Sequence, residues 1–186
     1  MSKQRTAPGE LERVRRFVNT RQVRRGADLL SDTAGTAEWF AHEGLAPSAL
    51  RVTRGDVARA VELREALRAV LGAHNGGGSV PAQATQTLDA AATRARLRLH
   101  FDDDGGASLV PVAAGVDGAL GRLLAIVHDS IAQGTWSRLK ACREPECEWA
   151  FYDHTKNHSG AWCSMQACGN RAKARAFRER HAASAQ

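Results

Sequence analysis

Two cysteine pairs near the carboxyl end decide how that part of the chain folds: Cys142-Arg-Glu-Pro-Glu-Cys147 and, after 15 intervening residues, Cys163-Ser-Met-Gln-Ala-Cys168. They contain all four cysteines of the chain. Two close pairs separated by a short span can present four thiolates to one tetrahedral Zn²⁺ ion. Four protein thiolates leave no open position for water or substrate, so the pattern predicts a structural zinc site. His154 or His158 replacing one thiolate, or disulfides in place of metal, are the alternatives.

Length and composition limit the class of protein. The 186 residues suffice for one compact domain of about 130 residues and a small appended module. Residues 1–9 are polar and lack the apolar stretch of a secretory signal. No uncharged apolar run approaches the ~18–20 residues that span a bilayer, and the best candidate, Leu120–Val127, contains Arg122. We therefore expect a cytoplasmic protein without membrane association, in which thiols stay reduced and favour metal over disulfides.

Positive charge is concentrated beside the cysteines. Residues 1–135 carry 17 Lys and Arg against 15 Asp and Glu, whereas residues 136–186 carry 9 against 5. The second range thus holds +4 of the net +6. Five basic residues of a predicted helix after Cys168 are candidate nucleic-acid contacts: Arg171, Lys173, Arg175, Arg178 and Arg180. A solvated basic helix without a partner is the alternative.

The apolar pattern predicts an α+β fold. Residues 1–135, called the body below, contain mostly helices, the clearest one following a capping-box pattern at Thr53 and Asp56. Alternation over residues 97–101 and a return strand at 109–112 predict a β-hairpin around Asp102–Gly106. Residues 136–186, called the finger below, are too few to fold without help, and structural zinc contributes ~10–16 kcal/mol in small peptides.

Helix ends and faces follow from the same pattern. Thr36 is the expected cap of a short helix that ends at Gly44, and Asn170 is the expected cap of the basic helix. Ala174 and Phe177 occupy one arc of that basic helix, where we expect them to pack against the cysteine turns.

The tetrapeptide Cys168-Gly169-Asn170-Arg171, preceded by Trp162-Cys163-Ser164-Met165 and by Cys142-x4-Cys147-x-Trp149, resembles the signature of the CGNR zinc-finger family. This resemblance implies a small, treble-clef-like zinc finger. In that family the finger usually follows an ABATE domain, regarded as a ligand-sensing region of stress-induced bacterial transcription regulators. The body resembles ABATE at three segments: Phe17-Val18-Asn19-Thr20, Asp28-Leu29-Leu30 and Leu63-Arg64-Glu65-Ala66-Leu67-Arg68.

The chain departs from the family at one point. Members often carry several arginines just before the Trp-Cys step, where this chain has Asn157–Ala161 and only Lys156 nearby. The difference touches no zinc ligand, but fewer positive charges weaken the expected contact with DNA phosphates.

The body offers few candidate binding or catalytic sites. Asn19, Thr20 and Arg64 could face a small-molecule ligand in the body, or serve as an ordinary helix-end amide, hydroxyl and surface arginine. The acidic run at 102–104 lacks the spacing of a calcium loop, and the glycines at 76–78 lack the Lys-Ser/Thr of a phosphate-binding loop. No nucleophile, acid and base stand at a recognisable spacing, so we expect no enzyme activity.

The leading functional hypothesis is a zinc-dependent, DNA-binding transcription regulator whose body senses a ligand or mediates assembly. A zinc-stabilised protein-interaction module without DNA binding is the main alternative, and an enzyme with its cavity in the body is a third. DNA-binding regulators are often dimers that match two half-sites, so a homodimer is one option.

Overall fold

The computed structural model describes residues 6–76 and 78–183. Six α-helices lie within these ranges: α1 (Leu11–Val18), α2 (Thr33–His42), α3 (Arg54–His74), α4 (Ala82–Ala95), α5 (Gly115–Ala132) and α6 (Asn170–Ala183). Three antiparallel hairpins accompany them: β1 (Arg21–Gln22) with β2 (Ala27–Asp28), β3 (Leu97–Phe101) with β4 (Ala107–Pro111), and β5 (Leu139–Ala141) with β6 (Ala150–Tyr152). This architecture confirms the predicted α+β fold, mostly helical with small hairpins and a C-terminal cysteine cluster.

The longest helix, α3, packs against α1, α2, α4, α5 and β5. The hydroxyl of Thr53 accepts from the backbone N–H of Asp56, and the Asp56 carboxylate accepts from the backbone N–H of Thr53 at 2.7 Å. This reciprocal pair confirms the predicted capping box. Leu63, Leu67 and Leu71 recur at a spacing of four and are fully buried, so the helix contributes one continuous apolar face to the core.

The base of the β3–β4 hairpin packs tightly on α5. Leu97 lies opposite Pro111 in the hairpin register. A side-chain carbon on Gly121 of α5 would lie 2.8 Å from the Cβ of Pro111 and 2.7 Å from that of Ala95. Glycine at this position therefore lets hairpin and helix approach closely. The predicted hairpin is confirmed, with its return strand beginning two residues earlier than expected.

The β5–β6 hairpin joins the finger to the body. Leu139, Ala150 and Tyr152 are buried in the same hydrophobic cluster as Leu67 and Leu71 of α3. The division between residues 135 and 136 stays a prediction, and the hydrophobic core is continuous across it.

Two predicted helix caps are wrong. The carboxylate of Asp32, not the hydroxyl of Thr36, accepts the N-terminal bond of α2, from Gly35 N at 2.8 Å. Thr36 lies inside the helix because α2 begins one turn earlier than expected. Asn170 already has helical dihedral angles, and the capping side chain is that of Ser164, which starts a π-helical turn leading into α6.

The predicted packing face of α6 is also wrong. Ala174 and Phe177 are exposed, and Phe177 keeps 55% of its surface accessible. Arg171 and Arg175 face the cysteine turns instead, because their guanidinium groups form hydrogen bonds there, as described below.

Two sequence features fall partly outside the described ranges. Gly77 of the 76–78 run lies outside, while Gly76 and Gly78, both with positive φ, separate α3 from α4. Of the polar N-terminal stretch, residues 1–5 also lie outside. Within the described ranges, no helix is both long enough and apolar enough to cross a lipid bilayer.

Candidate metal centre

The first cysteine pair lies in the turn between β5 and β6. Cys142 N donates to Trp149 O at 3.0 Å and so extends the hairpin ladder, while Cys147 N donates to Glu144 O at 2.8 Å and closes a tight turn between the cysteines. Glu148 has a left-handed φ of 47°, which turns the chain back toward β6. This turn brings both sulfurs to one end of the hairpin.

The second pair is held by the start of the last helix. Ser164 O accepts bonds from Cys168 N at 2.9 Å and from Gly169 N at 3.1 Å. These contacts form the π-helical turn Met165–Gly169, in which Cys168 faces the first pair.

The four sulfurs form one compact cluster. All lie within 4.8 Å of one another, and Cys163 Sγ is 3.5 Å from Cys147 Sγ and 3.7 Å from Cys168 Sγ. A tetrahedral ion with Zn–S bonds of about 2.3 Å would hold its sulfurs about 3.8 Å apart. The donor set and its spacing therefore fit a tetrathiolate metal site.

Neither candidate histidine belongs to this cluster. His154 directs Nε2 to Thr6 O at 2.9 Å and packs its ring edge-on against Tyr152. His158 lies in the loop after β6 and has a φ of 51°. Among the described residues, the side chains close enough to share one metal ion are those of the four cysteines.

Hydrogen bonds among the thiols make the four sulfurs unequal. The hydrogen bond with Cys147 raises the pKa of Cys142 to about 12. The hydrogen bonds from Cys142 and Cys163 lower the pKa of Cys147 to about 2. Hydrogen bonds with Cys142 and Cys147, together with burial, raise the pKa of Cys163. Four sulfurs this close cannot all be thiolates on their own, and a divalent cation is the usual counter-charge for such a group.

Two basic residues of α6 contact the cysteine turns. Arg171 Nη2 donates to Cys168 Sγ at 3.0 Å. Arg175 Nη1 donates to Glu144 Oε1 at 3.0 Å, and the Glu144 side chain is only 3% exposed. A cationic donor beside a metal-binding sulfur offsets negative charge on that ligand, and the second contact docks α6 on the first cysteine turn.

A buried ion pair shapes the loop between β6 and the second pair. Lys140 Nζ lies 2.8 Å from Asp153 Oδ2, and their side chains are 5% and 1% exposed. Lys140 also donates to His158 O, while Asp153 accepts from Gly160 N and Thr155 N. Burial opposes ionisation of Asp153, but the hydrogen bonds from Lys140 and the loop outweigh it and lower its pKa. The loop is thus tied to the finger's hairpin.

Side chains of the body hold the finger by hydrogen bonds to its main chain. The Asn19 side chain donates to Ala150 O at 2.9 Å and accepts from Ala150 N at 2.8 Å, as a neighbouring strand would. Arg68 of α3 donates to Glu148 O at 2.9 Å and to Val18 O at 2.7 Å. One arginine therefore bridges α1 and the first cysteine turn.

The end of α3 supplies the other half of this joint. His74 Nδ1 lies 2.9 Å from Leu139 O. The Asn75 amide donates to Ala141 O at 2.7 Å and to Ala161 O at 2.8 Å. We call the four side chains that hold the finger, Asn19, Arg68, His74 and Asn75, the clamp.

The predicted ligand contacts separate into two groups. Arg64 is 1% exposed, pairs with both carboxylate oxygens of Asp28 at 2.6 and 2.9 Å, and donates to Thr20 Oγ1 at 3.1 Å. Arg64 is therefore a buried residue that ties α3 to β2, and not a surface arginine. Asn19 alone of the three lines a cleft of about 470 Å³, whose walls include Trp39 of α2 and Trp149 of the finger.

The five predicted nucleic-acid contacts are also divided. Arg171 and Arg175 contact finger groups, whereas the side chains of Lys173, Arg178 and Arg180 are exposed along α6. The exposed three give α6 a basic outer surface.

Sequence reasoning missed the clamp residues other than Asn19, and it missed Glu144 and the Lys140–Asp153 pair. Glu144 lies inside the first cysteine loop, so an acidic residue beside a predicted metal site and a basic helix could have suggested the ion pair. Asn75 carries no such signal, because its partners lie 66 and 86 residues away.

Comparison with known families agrees with this geometry. Residues 138–181 match the family described as CGNR zinc finger. Residues 12–134 match ABATE, described as "Putative stress-induced transcription regulator". No curated protein matches the chain. Since the second match spans well over half of the 186 residues and a CGNR finger follows it, the chain belongs to the ABATE family.

Proposed function

We propose that this protein is a zinc-containing transcription regulator that binds DNA through the outer surface of α6. The observation that carries the proposal is the position of α6. The helix continues directly from the turn that carries Cys168 and presents Lys173, Arg178 and Arg180 to solvent. In this proposal Zn²⁺ is held by all four cysteines and has a structural role. In the same proposal, the protein acts in the cytoplasm and is no enzyme.

Charge defines what each basic residue of α6 does. A zinc tetrathiolate carries two negative charges, which would lower the finger's net charge from +4 to +2. Arg171, beside Cys168 Sγ, offsets this charge locally, and Arg175 is paired with Glu144. Lys173, Arg178 and Arg180 are the exposed members of this set, so contact with DNA phosphates falls mainly to them, a smaller set than the sequence suggested.

The ligand-sensing part of the proposal rests on the cleft between body and finger. Trp39 and Trp149 provide apolar walls of this cleft. Arg16 and Glu43 also line it and provide polar groups, with Arg16 Nη2 lying 3.0 Å from Glu43 Oε2. Because Trp149 directly precedes β6, a small molecule in this cleft would contact body and finger at once. That position would let a bound ligand alter how α6 meets DNA.

The test is binding of the full chain to random duplex DNA at low salt, measured by fluorescence anisotropy before and after metal removal by a chelator. Changing Lys173, Arg178 and Arg180 together to Gln should weaken binding and reduce the slope of log K against log[salt] by about 2–3. The matched control changes three exposed arginines of the body to Gln: Arg24, Arg25 and Arg51. Equal losses in the two triple variants would remove α6 from the proposal.

A protein-interaction module is the second candidate, and the orientation of α6 favours it. Two of the five basic side chains contact the finger, and Phe177 is exposed on the outer surface. A metal-loaded chain that is not retained on DNA at low salt would support this second function in place of the first.

A further inference from the structure

The β3–β4 hairpin exposes apolar side chains on the same face that packs against the body. Leu97, Leu99 and Phe101 alternate along β3 and therefore share one face. Leu97 packs against the core, but Leu99 and Phe101 are 54% and 64% exposed. A two-stranded hairpin is marginal in water by itself, so an apolar face extending beyond the body needs a covering partner.

The backbone of β3 also has an open edge. Among the described residues β3 pairs with β4 alone. Val112 N donates to Arg96 O at 3.4 Å and Asp102 N donates to Gly106 O at 3.0 Å. Hydrogen-bonded and non-bonded pairs alternate along an antiparallel ladder. The backbone N–H and C=O groups of the even-numbered residues of β3 therefore point toward β4. The N–H and C=O groups of Leu97, Leu99 and Phe101 therefore point to the open edge.

We propose that β3 pairs with β3 of a second copy of this chain, antiparallel about a two-fold axis at Leu99, to form a four-stranded sheet. In this register Leu99 faces Leu99 of the second copy, and Leu97 faces Phe101. All of these are residues whose backbone groups point outward, so each pair can exchange two hydrogen bonds. The surface is self-complementary, as a two-fold interface requires.

The same register covers the exposed side chains. Phe101 of one copy comes to lie beside Leu97 of the other, which packs on the other copy's core. On the opposite face Arg98 stands across from His100, and both side chains are exposed.

Charge favours a second copy over an unrelated partner. The hairpin turn carries three exposed acids, Asp102, Asp103 and Asp104, while the exposed Arg96 directly precedes β3 at its other end. Antiparallel pairing about Leu99 places the acidic turn of each copy at the Arg96 end of the other. Opposite charges thus meet at both ends of the paired strands.

This assembly does not depend on DNA binding, and the test leaves the finger unchanged. Sedimentation equilibrium of the metal-loaded full chain should show a concentration-dependent dimer. Leu99→Lys should raise the dimer dissociation constant by about 100-fold, because two like charges would meet at the axis and the burial of two leucines would be lost. Ile131→Lys on α5, which replaces a side chain that is 56% exposed, is the matched control and should leave dimerisation unchanged.

Hydrogen exchange identifies the surface that is used. The amides of Leu97, Leu99 and Phe101 should gain protection as the dimer forms and lose it in the Leu99→Lys variant. A chain that stays monomeric, equal disruption by Ile131→Lys, or a dimer in which these three amides exchange freely would each overturn the proposal.

A charge exchange tests the register. Asp103→Arg with Asp104→Arg should weaken dimerisation by about 10-fold, and adding Arg96→Glu to the same chain should restore it. If the added Arg96→Glu gives no recovery, the strands do not pair about Leu99.

Discussion

Replacing Asn19 tests how firmly the body holds the finger. In Asn19→Ala both backbone groups of Ala150 lose their partner, and Ala150 is fully buried. An unsatisfied buried donor or acceptor costs about 1–3 kcal/mol, so losing the partner of both groups should lower the free energy of unfolding by about 2–6 kcal/mol. Since domains are stable by only about 5–15 kcal/mol, this is a large share of the total.

The assay is urea unfolding of the metal-loaded full chain, followed by circular dichroism and tryptophan fluorescence. Asn19→Asp is nearly the same size but sets a carboxylate oxygen against Ala150 O, so it should also destabilise the protein. Asn157→Ala, at an exposed loop position, should stay within about 0.5 kcal/mol of the parent chain. If Asn19→Ala matches Asn157→Ala, or if Asn19→Asp is harmless, the two hydrogen bonds do not hold the finger.

Three further predictions concern metal, pH and packing. Cys147→Ser should abolish one-to-one zinc binding, which metal analysis of the purified variant would detect, whereas retained stoichiometric zinc would contradict a four-cysteine site. The pKa of Asp153 is lowered in the folded state, so its pair with Lys140 stabilises the protein above the unfolded pKa near ~3.9 and loses this effect as pH falls through the folded pKa. Asp153→Asn should therefore flatten the acid side of the unfolding free energy measured against pH, and an unchanged slope would count against the pair. Gly121→Ala should cost about 1–3 kcal/mol in thermal unfolding because its Cβ would overlap Pro111, and a neutral result would mean that the hairpin can shift.

The sequence predicted those parts of the fold that depend on local pattern. The long helix follows from its capping box and its spacing of leucines, and the central hairpin follows from alternation around an acidic, glycine-containing turn. The cysteine cluster follows from spacing, since two short loops and one metal are sufficient to specify it.

The rest depends on partners that are distant in sequence. Arg64 reads as a surface residue on a helix, yet it is buried because Asp28, 36 residues earlier, neutralises it. The five basic residues of α6 look alike in sequence. The docking angle of the helix decides that Arg171 meets a sulfur while Lys173 meets solvent, and no local pattern encodes that angle.

The clamp has a consequence for how this protein can vary. The hydrogen bonds that its side chains make with the finger end on main-chain atoms: those of Ala150, Glu148, Leu139, Ala141 and Ala161. Amide and carbonyl groups are common to nearly all amino acids, so these hydrogen bonds do not depend on which side chains the finger exposes to solvent. Point substitutions on that surface can alter what it recognises without loosening it, whereas one inserted or deleted residue between 139 and 150 would displace the atoms to which the clamp is fitted. Recognition and attachment are thus free to diverge along separate evolutionary paths.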